Sequence, residues 1–222
     1  MKAIGHIVDR IGPRQDEFLF VCPHFAGLGA GEADLVGCLP IGDANGATLA
    51  HAFPDDPGIY AGILAADPFR PAPVLLSALK DAGVRSVVNL PTVAMITDGL
   101  AEALRHAGVD YAAELATLTQ ATAQGFNALA VVTTTEQARQ AIAAGIRRVL
   151  VYPAAADGNP AVRQQRAAAA LEAVGIMRSS AQVPTILAFR HPEYGALLEP
   201  LLAVADGIVD WAIAARPEHV AR

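Results

Sequence analysis

An α/β fold with a parallel sheet, closed as a (β/α) barrel or doubly wound, is what this chain predicts, and three observations predict it. Short apolar runs alternate with helical stretches of about 10 to 15 residues about seven times. The runs, Phe18 to Cys22 first among them, lack the polar alternation of a half-exposed strand, as expected where both faces are covered. The 222 residues, read as a single domain 1–222, are ample for one large core.

The elements follow in order. Ile4, Ile7, Val8 and Ile11 fall at helical spacing, so Met1 to Gly12 is expected as an amphipathic helix rather than a short strand. Phe18 to Cys22 is a buried strand, followed by a long glycine-containing loop. Asp43 or Asn45 then opens a helix over Ala47 to Ala52, as an N-cap or as part of a polar site beside free helix N–H groups. Ile59 to Leu64 is the next strand, Ala72 to Ala82 a helix stopped by Gly83, and Ser86 to Leu90 a third strand. Helices are expected from Asp98 to His106 and from Ala112 to Gly125, then a strand over Ala128 to Val132. Thr134 and Gln137 have the spacing of a capping box for the helix that follows. Arg148 to Tyr152, Thr185 to Phe189 and Gly207 to Ala212 are the last strands. Asp157-Gly158 marks a turn, Ala161 to Val174 is the longest helix, and a helix from Tyr194 to Ala205 leads to the final strand.

Composition excludes several classes. A net charge of -6 with scattered basic residues is no nucleic-acid footprint. Hydrophobic residues make up 53%, yet no apolar run approaches the ~20 residues of a spanning helix, so a membrane protein is not expected. The N-terminal stretch lacks a signal-peptide core, which leaves the cytoplasm as the expected compartment. Cys22 and Cys38, the only cysteines, are too few for a structural zinc site, and Cys38 reads as apolar filler. An apolar, alanine-rich chain has surface to hide, so a homo-oligomer is expected.

In either architecture ligands bind at the C-terminal ends of the strands. Cys22 and His24, Asp67, Asn89 and Thr92, Thr133, Tyr152, Arg190 and His191, and Asp210 fall there. Asp67, before Pro68, suits a turn or a metal or substrate contact. Asn89 lies in an apolar strand and must find partners or cost a few kcal/mol. Arg190 and His191 suit a carboxylate or phosphate, or else a salt bridge to Glu193 or Glu199. There is no G-x-G-x-x-G after a strand, no Walker A loop, no H-E-x-x-H and no G-x-S-x-G. Lys2 and Lys80 are the only lysines and neither ends a strand, which disfavours a Schiff-base mechanism.

The segments Leu39-Pro40-Ile41-Gly42-Asp43-Ala44-Asn45, Ala65-Ala66-Asp67-Pro68-Phe69-Arg70 and Asn89-Leu90-Pro91-Thr92-Val93, with Asp98-Gly99 after them, resemble the phosphoenolpyruvate hydrolase-like family, also called TIM-barrel signal-transduction proteins. The match runs from about Glu17 to Glu114. It implies a TIM (β/α) barrel related to the phosphoenolpyruvate mutase and isocitrate lyase group, whose better-known members bind α-oxo acids with Mg²⁺. In that reading Asp43 and Asp67 hold the cation, while Asp43 with Asn45, Asn89, Thr92 and Arg190 also binds and orients a small α-oxo or phosphorylated acid. His24 or His191 transfers the proton, with Asp67 also in the catalytic set. The chain departs from the family at Cys22-Pro23-His24, Tyr152-Pro153-Ala154, Arg190-His191-Pro192 and Asp210-Trp211-Ala212. Only 17 residues precede Phe18, too few for the family's glycine-rich first strand, so the barrel is expected short, with about seven to eight strands. A barrel that has lost catalysis and serves as a metabolite- or protein-binding module is the alternative expectation.

Overall fold

The computed structural model describes residues 2–12, 17–36, 39, 42–154, 159–180 and 185–214. Pro40-Ile41, Cys38, the Asp157-Gly158 turn and His219 lie outside them. Eight parallel strands close into a barrel in simple chain order: β1 (Ala3–Val8), β2 (Phe18–Val21), β3 (Ile59–Gly62), β4 (Ser86–Val88), β5 (Asn127–Val132), β6 (Arg148–Val151), β7 (Thr185–Phe189) and β8 (Gly207–Trp211). This is a TIM barrel. Among the described residues no helix is long and apolar enough to cross a membrane.

The N-terminal segment corrects the expectation of a helix. Gly5 to Val8 pair with Phe18 to Val21, and Ala3 to Ile7 pair with Gly207 to Trp211, so β1 is the strand that closes the ring. Two open sheet edges demand a partner more strongly than four apolar residues demand a helix. Gly5 and Ile7, two apart, turn inward in the period of a strand. A Cβ on Gly5 would lie 3.0 Å from the Phe18 Cβ, so the approach of β1 to β2 suits glycine. The ring is therefore closed with eight strands, the upper end of the expected seven to eight.

The helices are α1 (Ala30–Val36), α2 (Ala44–Leu49), α3 (Ala72–Asp81), α4 (Asp98–His106), α5 (Tyr111–Ala123), α6 (Thr135–Ala143), α7 (Pro160–Arg178) and α8 (Glu199–Val204), with 3-10 turns at Pro23–Phe25, Val93–Met95 and Pro192–Leu198. Caps set their starts. Asp43 accepts from the Gly46 N–H at 2.7 Å, and Thr134 and Gln137 form the expected capping box. The helix α1 lies in what reads as a glycine-containing loop, because Gly27, Gly29 and Gly31 mask its pattern.

Alternate strand residues build two cores. Leu19, Val21, Ala61, Val87, Leu76 and Leu79 fill the layer between strands and helices. Ile7, Phe20, Tyr60, Leu129, Leu150 and Phe189 fill the barrel itself, where Phe20 stacks on Tyr60 with ring centroids 5.2 Å apart. Dispersion and apolar burial in these layers are the main source of stability.

Gly62, at the end of β3, is where the wall is tightest. A Cβ there would lie 2.4 Å from the Cys22 Sγ and 2.6 Å from the Leu90 carbonyl oxygen. Gly62→Ala should cost on the order of 1–3 kcal/mol through overpacking, lowering the urea midpoint at unchanged slope. Gly12→Ala, with nothing within 4 Å, should leave the midpoint nearly where it was. Equal midpoints for the two variants would contradict the packing described.

Candidate functional site

Four groups of polar side chains stand at the C-terminal end of the barrel. The first follows β4. Asn89 is fully buried, and its Oδ1 accepts the Val131 N–H at 2.7 Å, so the side chain takes the place of a ladder bond between β4 and β5. Its Nδ2 donates to Glu114 Oε2 at 2.7 Å, the Thr92 hydroxyl donates to the same oxygen at 2.6 Å, and the Val93 N–H donates to Oε1 at 2.9 Å. Asn89 and Thr92, expected to orient a ligand, thus converge on a carboxylate of the chain itself. Burial pushes the Glu114 carboxyl up to about 7, although the bonds from Thr92, Val93 and Asn89 pull the other way. Glu114 was not among the expected site residues. Its signal was an acid at the apolar spacing Tyr111, Glu114, Leu115, Leu118 on α5.

The second group joins three elements. Asp34 on α1 accepts from the Tyr152 hydroxyl at 2.6 Å, and its other oxygen lies 3.1 Å from His191 Nε2. His191 Nδ1 accepts the Glu193 N–H at 3.2 Å, so the neutral ring carries its proton on Nε2 and donates to Asp34. The His191 and Asp34 side chains are 0% and 2% exposed. Burial pushes the Asp34 carboxyl up, opposed by the bonds from His191 and Tyr152. Arg190, the neighbour expected to hold a substrate acid, makes a two-pronged pair with Asp210, Nε to Oδ1 at 2.7 Å and Nη2 to Oδ2 at 2.5 Å. Its partner is neither Glu193 nor Glu199.

The third group is the expected metal pair. Arg70 grips Asp43 with both Nη atoms at 2.5 Å, and its Nη1 lies 3.5 Å from Asp67 Oδ2. The guanidinium and the Gly46 N–H hold the Asp43 carboxyl below the usual range. Asp67 Oδ1 accepts the Phe69 N–H at 2.8 Å, the turn role foreseen for it. Asn45 is buried, donating to Asp67 Oδ2 at 2.9 Å and exchanging two bonds with the backbone of Leu64. A divalent cation needs carboxylate lone pairs facing a common point. Here a fixed cation, Arg70, already lies between them, so Asp43 and Asp67 do not fit Mg²⁺ as they stand. Among the described residues no cluster of three His, Cys, Asp or Glu is set to hold a metal.

His24 is the fourth. It lies in the 3-10 turn after β2, its ring 4.1 Å from that of Phe25, and neither ring nitrogen has a hydrogen-bond partner. Burial pushes it down to about 4. Phe25, Ala30 and Ala33 enter the inner core, so the 3-10 turn and α1 together cover the mouth. What remains beneath is a crevice lined by Phe25, Ala33, Asp34, Leu90, Pro91, Thr92 and Met95, too narrow for a water molecule.

With this geometry in hand, comparisons with known proteins can be placed. The model of the family described as phosphoenolpyruvate hydrolase-like matches residues 27–183. The uncharacterized protein y4oT of Sinorhizobium fredii (strain NBRC 101917 / NGR234) is 36% identical over 139 residues, 61% of this chain and 71% of that protein. The ToMV resistance protein Tm-1(GCR237) and the ToMV susceptible protein tm-1(GCR26) of Solanum lycopersicum are each 34% identical over 91 residues, 39% of this chain and only 12% of their own length. A solved structure of a cube-shaped, porous protein cage designed by fusing symmetric oligomeric domains covers 97% of this chain and 65% of its own at 13% identity, with a TM-score of 0.39, too low to carry an argument.

The buried acid gives a signed pH dependence. Because the folded pKa of Glu114 lies above the ordinary value of 4.5, its contribution to stability is complete below about pH 4.5 and is lost as pH rises through about 7. His24 acts oppositely, since its contribution is present above about 6.5 and lost as pH falls through about 4. Glu114→Gln should flatten the fall in stability between pH 5 and 8, worth on the order of 3 kcal/mol in the wild type. Chemical denaturation across that range reads it. Parallel curves for the two proteins would show that Glu114 does not titrate there.

Proposed function

Because the chain belongs to the phosphoenolpyruvate hydrolase-like family, we propose that it keeps that family's barrel as a module that binds a small organic acid at its mouth and answers through protein contact, without metal-assisted hydrolysis or lysis. One observation supports this most. Of the strand-end groups that a metal-assisted mechanism would recruit, all but His24 are engaged inside the chain: Asp43 and Asp67 with Arg70, Arg190 with Asp210, Asn89 and Thr92 with Glu114, and His191 with Asp34. Catalysis requires preorganised groups left open for charge that develops in the transition state.

A contact function has its own support. Of the seven large apolar side chains exposed among the described residues, five, Leu35, Phe69, Val74, Leu100 and Leu197, follow strand C-termini or open the helices after them, while Ile4 in β1 and Val204 at the end of α8 do not. Apolar surface concentrated at one end of a barrel suits association, and the partner we propose is a second copy of this chain.

A second reading, an acid–base hydrolase or lyase of a small α-oxo or phosphorylated acid, is favoured by Glu114. A carboxyl pushed up to about 7 is poised to give and take protons near neutrality, and Asn89 and Thr92 touch it.

Thermal shift with pyruvate, phosphoenolpyruvate and oxaloacetate, each with and without Mg²⁺ or Mn²⁺, followed by product detection, separates the readings. The module should be stabilised by an acid to the same extent with or without metal, by about 2.7 kcal/mol at 100 times Kd, and should form no product. Metal-dependent product would overturn this reading, and metal-independent product abolished by Glu114→Gln would select the second. Light scattering at micromolar concentration should give a dimer or larger species. A monomeric mass would remove the second copy as partner.

A further inference from the structure

Tyr152 and His191 close on one carboxylate from two sides, and the carboxylate comes from a different part of the molecule. Both donors are fixed by the barrel wall. Tyr152 follows β6 and stacks on Phe189 at 4.3 Å, while His191 follows β7 with Nδ1 held by the Glu193 N–H and its ring edge-on to Tyr194 at 5.3 Å. Each therefore offers a hydrogen whose direction is set before any acceptor arrives. The acceptor, Asp34, rides on α1, seven residues long, which follows Gly27 with φ of 80° and whose inner-core contacts are the side chains of Ala30 and Ala33. Rigid donors and an acceptor on a lightly anchored element are the arrangement of a receptor and its occupant.

We infer that Tyr152 and His191 form a binding site for the carboxylate of a short-chain monocarboxylic acid, and that Asp34 fills this site from within the chain. The crevice beside Asp34, walled by Phe25, Leu90, Pro91 and Met95, admits no water as it stands, so the room for an acid is what the Asp34 side chain itself vacates, which limits the ligand to a short chain. A second negative charge would meet poor conditions there, because Glu193 already disfavours the ionised form of Asp34 and Arg190 is engaged with Asp210. An acid that takes the two donors displaces Asp34 and frees α1, which also carries the exposed Leu35. The site would thus couple ligand to surface. This deepens the module reading and rests on it only for that consequence.

An occupant tethered to its own site competes at millimolar or higher effective concentration, so a free acid should bind the wild type weakly and gain when Asp34 is removed. The experiment is chemical rescue of Asp34→Ala by propionate, read as the shift in melting temperature against matched sodium chloride, with Asp43→Ala as the control. Propionate should raise the melting temperature of Asp34→Ala saturably and bind at least tenfold more tightly than to the wild type, and adding Tyr152→Phe should abolish the gain. A response no larger than that of Asp43→Ala overturns the assignment. Asp34→Asn keeps the size of the side chain but sets an amide N–H against one of the donors, and it carries the same test should the alanine variant not fold. Equal propionate affinity in wild type and Asp34→Asn overturns the site. Rescue of Asp34→Ala with no acid shifting the wild type would support the site while removing the module reading. A wild-type shift with pyruvate that survives Tyr152→Phe unchanged would do the reverse.

Discussion

Closure of the barrel depends on one strand with two obligations. β1 must satisfy β2 on one side and β8 on the other, and it does so with the segment Ala3 to Val8. Everything at the mouth follows from that. With the ring closed, the C-terminal ends of all eight strands face one end, and the residues after β2, β4, β6 and β7 are brought within hydrogen-bonding distance of each other or of the elements that cover them. Tyr152 and His191 are neighbours because β6 pairs with β7, and the curled sheet lets the helix after β2 reach across the mouth to set Asp34 between them.

Burial then dictates how the polar groups pair. A carboxylate removed from water costs several kcal/mol unless it finds donors, and the chain supplies them in two different ways. Asp43, half exposed, takes a guanidinium and is held below its usual range. Asp34 and Glu114 are deep, take only neutral donors, and are pushed up. Neutral donors hold a carboxylate by direction more than by charge. The two buried acids are therefore the ones whose binding changes when a proton or a competing acid arrives, whereas Asp43 is locked by Arg70.

Much of this was legible in the sequence where a local rule applied. The strands from Phe18 onward, the Asp43 and Thr134 caps, the turn at Asp67 and the glycine after α3 all express short-range chemistry, and each stands as read. The strand-end rule also gathers His191, Asn89, Thr92 and Tyr152 from the sequence. What was not legible depends on distance along the chain. β1 reads as a helix because its partners Gly207 to Trp211 are about two hundred residues away. Asn89 and Thr92 read as ligand-orienting, while the Glu114 carboxylate they hold lies on the second helix after them, beyond the reach of a local rule. Arg190 reads as a binder of a carboxylate or phosphate or as the partner of Glu193 or Glu199, whereas the acid it holds stands on the adjacent strand. α1 was missed because three glycines in and before it outweigh seven residues of pattern.

The segments around Asp43, Asp67 and Asn89 are those that carry the family likeness, and here all three build structure. Asp43 caps α2, Asp67 makes a turn tied to Asn45, and Asn89 bridges β4 to β5. A residue that supports the wall is retained whether or not chemistry remains, so the motif alone is no measure of catalysis. On the other side of the mouth the strand-end groups likewise bind groups of their own chain: Tyr152 and His191 take Asp34, and Asp210 takes Arg190.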